Sequence, residues 1–126
     1  MRDSLRAVIG LAAVFGVLSA GLVQSLAAGA LAIGKCAAYG YAYDYPSVKA
    51  AEAAARAKCS DRTCNQVVAT QNGCVAFAVD GRKPCGPNGY ANAPRLGAAQ
   101  NTALKHCYKY GGKDCVIRAW ICDSKG

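Results

Sequence analysis

Eight cysteines, seven tyrosines, seven acidic residues and one histidine are the side chains of this 126-residue chain that could carry chemistry. A cysteine nucleophile needs a general base within hydrogen-bond reach, and His106 is the one imidazole available. Structural zinc sites built from cysteine use close pairs such as Cys-x-x-Cys, and that spacing does not occur. Asp44, Glu52, Asp61, Asp80, Asp114 and Asp123 are scattered singly, several of them in turn-like segments that favour Asp for local reasons. They mark no carboxylate pair of the kind glycosidic chemistry requires. No catalytic constellation, metal ligand set or cofactor motif stands out.

The patterned residues are Tyr39, Tyr41, Tyr43 and Tyr45, which alternate with Gly, Ala and Asp. Period two is the mark of a strand, and it puts all four rings on one face. Tyrosine combines flat apolar area with a hydroxyl, which suits glycan or protein ligands. Aromatic cross-strand packing would account for the same residues without a ligand.

The elements that position these side chains begin after a leader. Arg2 and Arg6 precede an uncharged run from Ala7 to Val23, and Gln24-Ser25 opens a more polar stretch. This is the layout of a secretory signal, for which small residues at −3 and −1 mark the cut. Ala28-Gly29-Ala30 supplies them, with Ser25-Leu26-Ala27 as a second option, so residues 1–30 are expected to leave and 31–126 to form one domain. An uncleaved anchor is the competing reading, because the apolar run is nearly long enough to span a bilayer; after cleavage no stable membrane span is expected.

All eight cysteines lie beyond the leader, and an even count behind an export signal reads as a disulfide framework in a secreted or periplasmic protein. Lys and Arg number 15 against 7 acidic residues, a formal net charge of +8. The basic residues are dispersed, and with export this argues against nucleic acid as a partner. An envelope or secreted protein, or an anionic wall polymer, is the expected partner class.

A repeat organises the mature part. Cys36-Ala-Ala-Tyr-Gly40-Tyr41-Ala42 matches Cys85-Gly-Pro-Asn-Gly89-Tyr90-Ala91, and Val48, Ala51, Ala55 and Cys59 match Leu96, Ala99, Ala103 and Cys107. Cys64 before Val67-Val68 corresponds to Cys115 before Val116-Ile117, and Cys74 is matched to Cys122. The halves are then about 31–81 and 82–126. In the first, Pro46 ends the tyrosine strand, Ser47 caps an Ala-rich helix reaching Lys58, and Cys64–Thr70 and Cys74–Val79 form a hairpin about Asn72-Gly73. The second repeats a strand at Gly89–Asn92, a helix from Pro94 to His106, a Gly111-Gly112 turn and a strand at Val116–Ile121. His106 falls at the position of Lys58, which points to a surface role near a helix C-terminus. The expected fold is α+β: a mostly antiparallel sheet with two Ala-rich helices on one face, an internal pseudo-twofold repeat, and disulfide stabilisation.

These segments, with Ala-Glu-Ala-Ala-Ala-Arg-Ala-Lys-Cys59, Asn72-Gly73-Cys74-Val75-Ala76-Phe77-Ala78 and Cys115-Val116-Ile117-Arg118-Ala119-Trp120, resemble the domain of unknown function 4189 family of secreted bacterial proteins. The resemblance implies no activity and no catalytic residues. It leaves Cys36 and Cys85 outside a six-cysteine pattern, so they are expected to pair with each other. Eight cysteines allow 105 pairings; helix-to-strand proximity favours Cys59 with Cys64 and Cys107 with Cys115, and the hairpin register favours Cys74 with Cys122. The function expected is a disulfide-stabilised binding or interaction module of the envelope or exterior. A wall-active hydrolase or hydrolase inhibitor, and a cationic factor for anionic surfaces, are the alternatives.

Overall fold

The computed structural model describes residues 27–123, in which Ala28–Ile33 forms strand β1. All six of its residues are buried. A strand covered on both faces is apolar throughout and does not alternate, and for that reason Ala-Gly-Ala-Leu-Ala-Ile reads in sequence as the tail of a leader. The boundary expected after Ala30 therefore falls inside a strand. The apolar run from Ala7 to Val23 lies outside the described residues.

Strand β2 (Tyr39–Tyr45) and strand β3 (Gln66–Gln71) flank β1 in an antiparallel sheet of order β2-β1-β3. Helix α1 (Val48–Ala57) connects them, with the Ser47 hydroxyl accepting from the Ala50 N–H at 3.1 Å as its N-cap. The second half runs β4 (Cys74–Asp80), β5 (Asn88–Ala93), α2 (Leu96–Lys109) and β6 (Cys115–Cys122), with sheet order β5-β4-β6. Both halves thus carry the element order ββαβ and place their first strand in the centre of a three-stranded sheet.

The helices do not share a face. Helix α1 packs on the first sheet and α2 on the second, while Leu31 and Ile33 from one sheet meet Val75, Phe77, Val79 and Ile121 from the other in a common core. The result is four layers, α1, sheet, sheet, α2. Each sheet has one face of Ala and Gly for its helix and one of larger residues for its partner sheet. A single sheet could not bury both Ala stripes and still cover Phe77 and Leu31.

The hairpin expected about Asn72-Gly73 changes with this layout. Strands β3 and β4 lie in different sheets, so Asn72-Gly73 is the passage between sheets and not a hairpin turn. A type I′ turn needs positive φ at both central residues, and of the two only Asn72 has it, at 60°. The chain passes from the first sheet to the second just before β4, near Cys74. Cys74 opens β4 and lies opposite Cys122 at the end of β6, so these two are cross-strand neighbours.

The disulfides are Cys36–Cys85, Cys59–Cys64, Cys74–Cys122 and Cys107–Cys115. Cys59–Cys64 ties the end of α1 to the approach of β3, and Cys107–Cys115 ties α2 to β6 in the same way. Cys36–Cys85 links the β1–β2 loop to the β4–β5 loop, the corresponding loops of the two halves. Disulfides at this density form and persist in oxidising compartments such as the periplasm or the exterior. No helix among the described residues is long and apolar enough to cross a membrane.

Candidate ligand-binding groove

The tyrosine strand keeps three of its four rings together. Tyr39, Tyr41 and Tyr43 follow one another with ring centroids 6.4 and 6.2 Å apart and interplanar angles of 22° and 5°. Tyr45 leaves the row. Asp44 takes φ 59°, a left-handed conformation that Asp tolerates better than most residues, and the register slips between Ala28 opposite Tyr45 and Ala30 opposite Ala42. One extra residue in β2 makes a bulge, and a bulge sends the next side chain to the other face. Tyr45 consequently packs beside Ala51 and Ala55 of α1, with the Lys58 ammonium 5.7 Å from its ring centre.

The remaining row borders the second sheet. Strands β2 and β6 are edge strands of different sheets, and they run past each other. Tyr39, at the inner end, packs partly against the core between the sheets; Tyr41 and Tyr43, farther out, are 45% and 53% exposed. Opposite them, β6 carries its own bulge, with Phe77 facing Ala119 and Ala78 facing Ile117, so that Arg118 is the extra residue. The Arg118 guanidinium lies 5.0 Å from the Tyr39 ring centre, and its Nε donates to the Ala37 carbonyl at 3.1 Å. This cation–π contact and hydrogen bond tie the second sheet to the β1–β2 loop of the first.

Between the two edges is an open groove of about 470 Å³ lined by Tyr39, Tyr41, Gln100, Ile117, Ala119 and Trp120, with Arg118 beside them. Trp120 is the only tryptophan of the chain and is 51% exposed. The groove offers apolar ring surface, an amide and a cation that still has terminal N–H groups, a combination suited to a ligand with flat apolar faces, hydroxyl edges and negative charge. Sequence pattern singled out the tyrosines but not Gln100, Arg118 or Trp120. An exposed Trp within an otherwise alternating strand was the signal available.

The other candidate residues are occupied elsewhere. His106, in the last turn of α2, sets its ring edge-on to Tyr110 at 6.3 Å, in a shallow depression with Pro87, Asn88, Gly89 and Tyr90. No carboxylate lines that depression. Asp80 accepts from the Arg82 and Lys113 N–H groups, and these bonds, Lys113 first, hold its carboxyl below the usual carboxylate value. The Asp61 carboxyl is held down by the Thr63 hydroxyl and then the Thr63 N–H. Asp114 pairs with the Arg82 guanidinium at 3.2 Å. Cys59, Asp61 and Cys64 come close enough together for a metal, but the two sulfurs are bonded to each other and Asp61 to Thr63.

A comparison with functionally curated proteins gives no match. The NMR structure of Rv1813c from Mycobacterium tuberculosis is similar, with a TM-score of 0.58 and 28% identity over 77% of this chain and 75% of that one. The family model described as domain of unknown function DUF4189 matches residues 28–122, starting at the first residue of β1, and the chain belongs to that family.

Proposed function

We propose that this chain is an exported, non-enzymatic binding module of the cell envelope or exterior whose ligand lies in the groove between β2 and β6. The observation that carries the reading is the convergence of Tyr39, Tyr41 and Trp120, from edge strands of two sheets, beside Arg118 and Gln100. Tyr41 and Trp120 are each about half exposed on facing walls of one groove, and exposed clusters of aromatic residues mark interaction sites. The ligand class is an anionic glycopolymer: sugar faces stack on Tyr41 and Trp120, hydroxyls meet Gln100, and negative charge meets Arg118 and the chain's excess of Lys and Arg over acidic residues.

Retention on immobilised teichoic acid, compared with an uncharged glucan, tests this. Binding is expected to weaken as salt rises and to fall about tenfold in Trp120→Ala or Tyr41→Ala, the equivalent of about 1.4 kcal/mol. Retention that is unchanged in both variants would place the ligand elsewhere.

A further inference from the structure

Asp123 follows β6 and is 0% exposed, yet among the described residues only one of its carboxylate oxygens finds a partner. Oδ1 accepts from the Gly73 N–H at 2.6 Å; Oδ2 is buried with no hydrogen-bond partner among the described residues. A buried carboxylate left half-satisfied is strongly unfavourable unless a cation or donor completes it.

The topology says what lies at that end of the molecule. Gly73 also accepts from the Asp123 N–H at 3.0 Å, and a Cβ built on Gly73 would lie 2.9 Å from the Thr70 hydroxyl oxygen. Thr70 is paired across the sheet with Gly29, whose own Cβ position is 3.7 Å from the Thr70 methyl and 2.8 Å from the Ile121 side chain. The start of β1 and the carboxylate of Asp123 therefore share one end of the sandwich. Ala28, the first residue of β1, is 0% exposed and paired on both sides, with Tyr45 and Gln71.

A leader cut after Ala30 would remove Ala28, Gly29 and Ala30 from a central strand, along with their pairings to Gln71, Thr70 and Ala69. A cut after Ala27 keeps the strand whole, satisfies the small-residue requirement with Ser25 and Ala27, and creates an α-ammonium at the Asp123 end. We propose that processing occurs between Ala27 and Ala28, and that the new α-ammonium of Ala28 is the missing partner of Asp123. Cleavage hydrolyses one peptide bond, with water supplying the atoms of the new amine and carboxylate, and the amine carries a proton at neutral pH. Removal of the leader then completes the fold as well as releasing it. This inference is independent of what the groove binds.

The test begins with the full chain expressed in a secreting bacterial host, whose mature product is expected to start at Ala28 by intact mass and N-terminal sequencing. A double-mutant cycle follows, combining Asp123→Asn with a glycine inserted after Ala27 and retained in the mature product. Each change alone is expected to lower the urea midpoint, and the double variant to fall no further than the worse single one, because both remove the same pair. In the unaltered mature protein the Ala28 α-amine should resist reductive methylation when folded and react once unfolded in urea. A mature chain starting elsewhere, additive losses, an equally reactive amine in both states, or coupling of Asp123 to Lys125→Ala instead would overturn the proposal.

Discussion

Asp80 is buried at the end of β4, where its two oxygens receive the backbone N–H groups of Arg82 and Lys113 and so hold two loops together. Those bonds favour the ionised form, so the folded pKa lies below the unfolded one. A depressed carboxylate contributes stability that is present at neutral pH and is lost as pH falls through the folded value. Between pH 5 and pH 2 the urea midpoint of Asp80→Asn is expected to fall less steeply than that of the unaltered protein. Equal slopes would show that Asp80 adds nothing to acid sensitivity. Asp44 illustrates what could not be read in advance at this scale. Its neighbours alternate perfectly, and only the left-handed backbone at Asp44 moves Tyr45 from the exposed row to the helix side. Asp in a strand is compatible with a bulge but does not demand one, because the bulge depends on how β1 pairs.

At the scale of elements, the helices sit on their sheets through small residues. Ala51 and Ala55 of α1 and Ala99 and Ala103 of α2 are 0% exposed. The strand glycines facing them are equally constrained, since a Cβ on Gly40 would collide with the Ala55 carbonyl and one on Gly89 with the Ala103 carbonyl. Gly40→Ala and Gly89→Ala are therefore each expected to destabilise by about 1–3 kcal/mol, the usual cost of overpacking, as measured by urea unfolding. Loss below about 0.5 kcal/mol at both sites would mean that the helices ride more loosely than the structure indicates. The Ala stripes were legible because helix periodicity needs no knowledge of the partner. Strand β1 was not, because a central strand and a leader share the same apolar signature, and the β3–β4 hairpin was misread because Asn-Gly suits a turn whether or not the flanking strands pair.

Over the whole molecule, alanine-rich helix–sheet contacts bury little area per residue, and disulfides compensate by restricting the unfolded chain. The effect grows with the length of chain enclosed. Cys36–Cys85 spans 49 residues and joins the two halves, whereas Cys59–Cys64 spans 5. The paired change Cys36→Ser with Cys85→Ser is expected to cost about 4 kcal/mol and Cys59→Ser with Cys64→Ser about 2 kcal/mol; the reverse order, by urea denaturation, would contradict this. The four-layer arrangement was beyond the sequence because each sheet's two faces had to be assigned to different neighbours, and only the packing of Leu31 against the second sheet's Phe77 cluster makes that assignment. The same arrangement creates the groove, since it takes two sheets to bring the β2 and β6 edges together.

The ligand-binding reading therefore depends on a surface to which both halves contribute. Trp120, the single tryptophan and half-exposed in that groove, reports on it directly. Titration of the mature protein with purified teichoic acid, followed by tryptophan emission, is expected to give a saturable change that is lost in Tyr41→Ala. Emission that stays constant through concentrations at which the polymer is independently shown to bind, or a change that persists undiminished in Tyr41→Ala, would contradict it.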